Sequence, residues 1–456
     1  MTISVPEKYR HRCVYHFTHL DNLPQILTNG LLSQNELSRL GKKHTSVAYN
    51  EIQGRRAALS VPCGPGGVVH DYVPFYFCTR SSMLLAVVNN KIADQMFIIY
   101  LCFPLTIIEE CPSVFTDAAA NTSVAPSFYD NPENLESLNW QAIDSLKWRL
   151  DPEETNRQRM AELIIHKTVD VAKLSQIVVW NKSVRDIVEQ MYKEAGLSSP
   201  TIGYEPKHYF LPFYASEESR RLSIVMGPYA IAQSLEETLE QVIPEIGKAK
   251  SAHYGSLKSL LEALRQDMCA LPETAELVGL ESDNEMHSED VGTHTLKVVE
   301  KLRSQAEYEK LSPTDKILVE LAAFLHDIGK GPKSRWAKNG GRQQVDPDHP
   351  VKALPMVRRI LTEEVASLKK RSAKVICKLV CYHDLVGDII GKGRRPQELI
   401  DVVNDPRELE MLIALGKADI LSCESSWLLL NKSRVDSLRE QVTTNLGDGP
   451  GDDVAE

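Results

Sequence analysis

The stretch Phe324-Leu325-His326-Asp327-Ile328-Gly329-Lys330 sets a histidine and an aspartate side by side at the end of an apolar helical run, Leu318 to Leu325. Burying an imidazole and a carboxylate unpaired costs several kcal/mol. A metal ion between them removes that cost, because neutral imidazole and ionised carboxylate are both metal ligands. Working outward, His294 lies upstream in Gly292-Thr293-His294-Thr295-Leu296, and Asp419 lies downstream in Lys417-Ala418-Asp419-Ile420. Two further imidazoles fall between them, His349 in Asp348-His349-Pro350 and His383 in Tyr382-His383-Asp384. A single core histidine is ordinarily satisfied by a backbone carbonyl, but His294, His326, Asp327 and Asp419 together in this order point to a cage for one or two divalent ions of the Mn, Fe or Mg class. A carboxylate can bridge two such ions, and water bound to one becomes a hydroxide nucleophile near neutral pH. Lys330 either contacts a phosphate or caps the helix C-terminus, where the dipole favours cations. From about residue 283 to 441 helix follows helix with no alternating strand, so this half reads as all-α.

Composition narrows the rest. A chain of 456 residues with 43% hydrophobic content holds two or three folded domains. No uninterrupted apolar run reaches the roughly 18 residues a membrane helix needs, and the mixed charges of residues 1 to 12 are not a secretory signal. Nine scattered cysteines without a C-x-x-C pair suit reduced thiols. The expected location is the cytoplasm, with no membrane partner. The net charge of -10 excludes a uniformly basic surface. Residues 1 to 215 are nevertheless close to neutral, and they carry the basic pairs Lys42-Lys43 and Arg55-Arg56, which leaves room for a local phosphate-binding stripe.

The first half has a different texture. Residues 73–78, 97–103, 176–180 and 209–213 read as strands, and residues 23–32, 82–90 and 155–166 as helices. This is an α+β domain spanning residues 1–215. Residues 216–282 read as a helical connector, 283–445 as the all-α domain and 446–456 as an acidic disordered tail.

Within the α+β domain, Tyr15-His16-Phe17-Thr18 reads as a turn feeding the helix, with Thr18 or Asp21 as its cap. A helix start of this kind suits a phosphate or a carboxamide. Far downstream lies a single carboxylate, Glu162 in Ala161-Glu162-Leu163; spacing alone would make it an exposed helix residue paired with Arg159 or His166.

Two family resemblances alter these readings. The His, His-Asp, Asp order resembles the HD superfamily of metal-dependent phosphohydrolases, which implies that His294, His326, Asp327, Asp419, His349 and His383 hold metal. The segments around His16 and Thr18, Ile52-Gln53-Gly54-Arg55-Arg56, Gly67 to Phe77, Thr79 to Leu84 and Arg157 to Ile164 resemble the DarT family of ADP-ribosyltransferases, toxins of bacterial toxin-antitoxin and anti-phage systems that modify DNA bases using NAD. By that resemblance His16, Thr18 and Asn22 hold the nicotinamide end of NAD, one of Arg55 and Arg56 steadies the pyrophosphate and the reacting centre, and Glu162 is the catalytic carboxylate. Such a residue stabilises the positive ribose that forms when the nicotinamide bond breaks. The acceptor is then single-stranded DNA, with RNA a second candidate, and a separate antitoxin protein is a candidate partner. Tyr72, Tyr76 and Trp148 are candidates for base stacking and Arg80 and Arg157 for phosphate contact; Phe75 and Phe77 suit the core better. Where members of the family carry Gly-His-Ala after Phe-Thr-Asp, this chain has Ala118-Ala119-Ala120. A reading from another class makes the HD phosphohydrolase the only enzyme and the first domain a silent nucleic-acid-binding module.

Overall fold

In the computed structural model, which describes residues 4–42, 45, 50–120, 124–147, 150–211, 225–283, 289–424 and 426–446, the run Cys13–His19 is a strand and not the expected turn. Val14, Tyr15, Phe17 and Thr18 are β-branched or aromatic and suit a pleated surface that is covered on both faces. That double covering is why the run lacks the alternation by which a strand is recognised.

Along the chain the strands are β1 (Cys13–His19), β2 (Leu31–Leu32), β3 (Tyr72–Tyr76), β4 (Ile98–Pro104), β5 (Ser113–Thr116), β6 (Phe128–Tyr129), β7 (Glu162–His166), β8 (Thr168–Val169), β9 (Gln176–Val178) and β10 (Thr201–Gly203). Among the described residues, eight form one sheet in the order β10-β9-β4-β1-β3-β7-β5-β6, and β2 pairs with β8. One face of the large sheet buries Val14, Phe75, Leu101 and Leu163. The other buries Phe17, Tyr100 and Val178.

The register at β3 makes the site. β1 is laddered to β4 from Cys13 to His19, yet it meets β3 at one point, Tyr15 opposite Tyr76. Pro74 explains the break, since it has no N–H to give to a neighbouring strand. Its carbonyl accepts instead from the His16 side chain, Nδ1 to O 2.8 Å. β1 and β3 therefore part, and a cleft opens between them. On its other edge β3 is fully paired with β7, which puts Tyr76 directly opposite Glu162.

Four local expectations are corrected. The helix expected over residues 23–32 ends at Asn29, because Gly30 adopts φ +74 and a Cβ there would lie 2.7 Å from the Val169 carbonyl oxygen; Leu31 and Leu32 then become β2. The helix expected over residues 155–166 is two elements, Glu153–Arg159 and then β7, whose Leu163, Ile164 and Ile165 are all fully buried. Tyr209 and Phe210 are buried without joining the sheet: the Tyr209 hydroxyl donates to the Ile98 carbonyl (3.0 Å), and Gln95 accepts from the Phe210 N–H (2.6 Å). Neither Thr18 nor Asp21 caps the helix Leu23–Asn29; the His19 ring instead accepts from the Asp21 N–H at the turn before it.

Residues 1–227 form one compact unit and residues 228–456 a second. The second is helical. Its central helix, Pro313–Leu325, starts at Ser312, whose hydroxyl accepts from the Asp315 N–H, and from Leu318 to Leu325 it is buried on every side. The segment read as a connector contributes to this core through Ile231, Leu235, Val242, Leu260 and Leu264. Among the described residues no helix is long and apolar enough to cross a membrane.

Candidate active site and metal centre

The cleft between β1 and β3 is walled by His16, Thr18, Asn22, Arg56, His70 and Tyr76 among others. The Pro74 carbonyl only accepts, so His16 Nδ1 carries the ring hydrogen and Nε2 is left as an acceptor. Asn22 is fully engaged. Its amide donates to Thr18 Oγ1 (2.9 Å) and to the Thr45 carbonyl (2.9 Å), and its oxygen accepts from the Thr45 N–H (2.7 Å). Asn22 thus orders the wall, while the Thr18 hydroxyl keeps its own hydrogen to donate.

Arg55 and Arg56 are consecutive on the helix Asn50–Ala58, and a step of about 100° per residue sends them different ways. Arg55 is exposed and Arg56 buried. The Arg56 Nη1 lies 3.1 and 3.0 Å from the two carboxylate oxygens of Glu162, which is itself fully buried. Burial opposes the Arg56 charge, but the Glu162 carboxylate outweighs it and leaves the guanidinium more firmly protonated than usual. A second donor reaches the carboxylate, the Ala120 N–H at 3.3 Å from Oε1. Thr116 prepares it: its hydroxyl donates to the Ala118 carbonyl (2.7 Å) and accepts from the Glu162 N–H (3.3 Å), turning Ala118-Ala119-Ala120 across the carboxylate. Burial, and then the nearby Glu162 charge, raise the Tyr76 phenol above its ordinary value, so it remains a neutral hydroxyl. Arg56 stands on the cleft wall and Glu162 does not.

The residues expected to contact nucleic acid are placed differently. Arg80 is fully buried and donates to the backbone carbonyls of Tyr209 (3.0 Å) and Leu146, so it braces loops and is not a surface phosphate contact. Arg157 is held by Glu154 through Nε at 2.9 Å. Tyr72 reaches the cleft wall, but its ring is buried and its hydroxyl donates to the Gly66 carbonyl (2.6 Å). Trp148 lies outside the described residues. Phe75 and Phe77 are core.

In the second unit, His294 on the helix Val291–Arg303 and Asp419 on the helix Pro406–Cys423 meet at 3.0 Å. His294 Nε2 is 3.6 Å from Asp327 Oδ2, and His326 Nε2 is 3.4 Å from it. His349 Nε2 approaches the other oxygen of Asp327 at 3.1 Å. All six expected ligands thus converge around Asp327. Nδ1 of His326, His349 and His383 meets the carbonyls of Ala323, Asp346 and Val380 at 2.7, 2.8 and 2.8 Å. A carbonyl only accepts, so each of these rings carries its hydrogen on Nδ1 and turns an Nε2 lone pair inward, the outer-shell orientation of metal-binding histidines.

Those lone pairs test whether a cation fits. His349 Nε2 and His383 Nε2 face each other at 3.1 Å, two acceptors that no hydrogen bond joins. His326 Nε2 and Asp327 Oδ1 are buried with no hydrogen-bond partner. The groups His294, His326 and Asp327, and Asp327, His349 and His383, each could hold a divalent ion, which would satisfy these atoms. Burial holds His383 below its usual value, already neutral for ligation. For His294 burial is outweighed by hydrogen bonds to Asp419 and Cys423, which drive it up to about 10. Lys330 neither caps the helix nor stands apart: its Nζ pairs with Asp327 Oδ2 at 2.7 Å.

A family model described as "ssDNA thymidine ADP-ribosyltransferase, DarT" matches residues 15–211, and an "HD domain" model matches residues 291–411. A DNA ADP-ribosyl transferase of Thermus sp. (strain 2.9) is 38% identical over 187 residues, 40% of this chain and 87% of that protein. The chain belongs to the DarT family. Another relative, a DNA ADP-ribosyl transferase-DNA ADP-ribosyl glycohydrolase fusion protein of Thermosipho africanus, is 24% identical over 218 residues, 48% of this chain and 54% of that protein. Among solved structures, Thermus sp. 2.9 DarT in complex with ADP-ribosylated ssDNA is 33% identical, with a TM-score of 0.41, covering 46% of this chain and all of that one. Asp419 lies beyond the matched HD residues, and it is the fold that brings it to the cage.

Three groups in this DarT-family chain escaped sequence reasoning. The Ala120 N–H has no side-chain signature. His70 lines the cleft, with its basicity lowered by burial and then by the Arg56 charge; the neighbouring Asp71, which accepts from the Val68 N–H three residues back, marks the turn that presents it. Asp384 adjoins His383, and its side chain reaches the edge of the metal cage.

Proposed function

We propose that the first unit transfers ADP-ribose from NAD to a base of single-stranded DNA, and that the second is a metal-dependent phosphohydrolase acting on nucleotides or nucleic acid. The observation that carries the first part is the buried Arg56–Glu162 pair at the edge of a cleft walled by His16, Thr18 and Asn22. His16 and the Thr18 hydroxyl take the nicotinamide end of NAD, on a wall that Asn22 keeps in place. Arg56 is the arginine of its pair that attends the pyrophosphate and the reacting centre. As the nicotinamide–ribose bond breaks, its electron pair leaves with nicotinamide, and Glu162 stabilises the positive ribose carbon. A base nitrogen then bonds to that carbon, and its proton passes to Glu162. For the second unit, His294, His326, Asp327, Asp419, His349 and His383 would hold metal, which would supply activated water as nucleophile; the protein's own part is to orient His326, His349 and His383 through their Nδ1 bonds and to place the Lys330 ammonium beside Asp327.

By family, the transferase acts as a toxin or anti-phage effector in the cytoplasm, restrained by an antitoxin. The Thermosipho relative is named for a transferase and a glycohydrolase in one chain, which supports reading the fused HD unit as a restraint on the first activity. Incubation of the purified protein with NAD and single-stranded oligonucleotides yields an adduct heavier by one ADP-ribose, and Glu162→Ala abolishes it. If neither DNA nor RNA oligonucleotides of varied sequence gain that mass, the transferase reading fails. Greater toxicity of Asp327→Ala than of the intact chain supports restraint, and lower toxicity refutes it.

A further inference from the structure

Of the imidazoles in the cage, His326, His349 and His383 are held by the chain just behind them. Each turns Nδ1 to the carbonyl three residues back, on Ala323, Asp346 and Val380. All three stand at helix ends, where backbone carbonyls are not used up by the helix: His326 and His383 follow Pro313–Leu325 and Lys370–Cys381, and His349 opens His349–Arg359. His294 differs. It lies inside the helix Val291–Arg303, and the carbonyl three residues back, that of Val291, already accepts from the Thr295 hydroxyl at 2.9 Å. An acceptor for this ring has to come from another element.

Ser422 supplies it. Its Oγ lies 3.0 Å from His294 Nδ1 and donates its one hydrogen to the Asp419 carbonyl at 2.6 Å. A hydroxyl whose hydrogen is committed elsewhere can only accept, so His294 Nδ1 carries the ring hydrogen. The nitrogen left to face the cage is Nε2, 3.0 Å from Asp419 Oδ1. Cys423 Sγ stands farther from Nδ1, at 3.8 Å. Asp419 and Ser422 are three residues apart on the helix Pro406–Cys423 and share a face, so one turn brings both a carboxylate of the cage and the hydroxyl that orients His294. We propose that Ser422 is the positioning residue of His294: it fixes the ring hydrogen on Nδ1 and thereby aims the Nε2 lone pair at an ion held with His326 and Asp327. The inference rests on reading the cage as a metal centre, and the experiment separates the two.

Full-length protein is stripped with chelator and titrated with Mn²⁺, with free Mn²⁺ followed by electron paramagnetic resonance. The binding step that His294→Ala removes marks the group of His294, His326 and Asp327. Ser422→Ala weakens that step about 10–100-fold, the scale for losing the outer hydrogen-bond partner of a metal ligand, and Ser422→Thr, which keeps a hydroxyl, restores it. In the His294→Ala background Ser422→Ala adds no further loss of Mn²⁺ binding, because Ser422 acts through that ring. The circular-dichroism melting curve of each variant confirms its fold. Binding that Ser422→Ala leaves unchanged overturns the inference, as does a loss that Ser422→Thr fails to restore or that recurs in the absence of His294. A His294→Ala protein that binds Mn²⁺ like the intact one overturns it as well. Each of these results leaves the metal centre standing, whereas failure of the intact protein to bind any Mn²⁺ refutes the metal-centre reading itself.

Discussion

Glu162 and Arg56 are each costly to bury and tolerable together. With both carboxylate oxygens near one guanidinium nitrogen and a backbone N–H added, the pair is satisfied in a site that excludes water. Removing one partner of such a pair costs about 3–5 kcal/mol, because the survivor is buried without compensation. Glu162→Ala is therefore expected to lower stability as well as abolish transfer, and the double variant Arg56→Met with Glu162→Gln to be more stable than the sum of the single losses. Urea unfolding of the four proteins checks this coupling; additive losses would show that the pair is not an energetic unit. Activity is expected to divide the two arginines as burial does. Arg56→Ala is expected to lose on the order of 100-fold in rate, the scale for one positioned charge-stabilising donor, while exposed Arg55→Ala stays near the intact protein in the same oligonucleotide assay. Sequence could not choose between neighbours one helical step apart.

At the scale of elements, the cleft exists because Pro74 interrupts the pairing of β3 with β1, and its far wall depends on the turn Val69–Asp71. The Asp71 carboxylate holds that turn by accepting from the Val68 N–H (2.9 Å) and from Asn35 Nδ2 (2.7 Å). Those bonds, the Val68 one foremost, keep Asp71 more acidic than an ordinary carboxyl. A carboxyl depressed on folding stabilises fully above its unfolded value and loses that contribution as pH falls through the folded value. Asp71→Asn should cost on the order of 1 kcal/mol near neutrality, because water competes for the hydrogen bonds of this part-exposed carboxylate, and the gap to the intact protein should close in acid. Denaturation at pH 7 and below pH 4 checks it, and a gap that is constant with pH refutes the assignment. The two strands that sequence misread, β1 and β7, share one physical cause. β1 and β7 are covered on both faces and show no alternation, so β1 resembled a turn and β7 the continuation of a helix. The second unit was legible because its helices carry a long-period apolar stripe and its ligands are chemically distinctive, as His326 and Asp327 show. Nothing in one strand's sequence states that Pro74 faces β1, and so the cleft itself was not readable.

At the scale of the whole molecule, the two compact units have different sources of ligand stabilisation. The first has a cleft for a dinucleotide and no cluster of metal-ligating side chains among its described residues; the second has the cage. A ligand that binds only the folded form raises stability by about 2.7 kcal/mol at a hundred times its Kd. Differential scanning calorimetry of the full chain should then resolve two transitions that respond separately. NAD should raise one and leave the other in place; chelation should lower the second, because His326 Nε2, Asp327 Oδ1 and the facing Nε2 atoms of His349 and His383 lose the cation that satisfies them. His326→Ala should abolish the response to chelator while keeping the response to NAD, and Glu162→Ala should leave the response to chelator unchanged. A single transition moved by both ligands would mean that the two units unfold together.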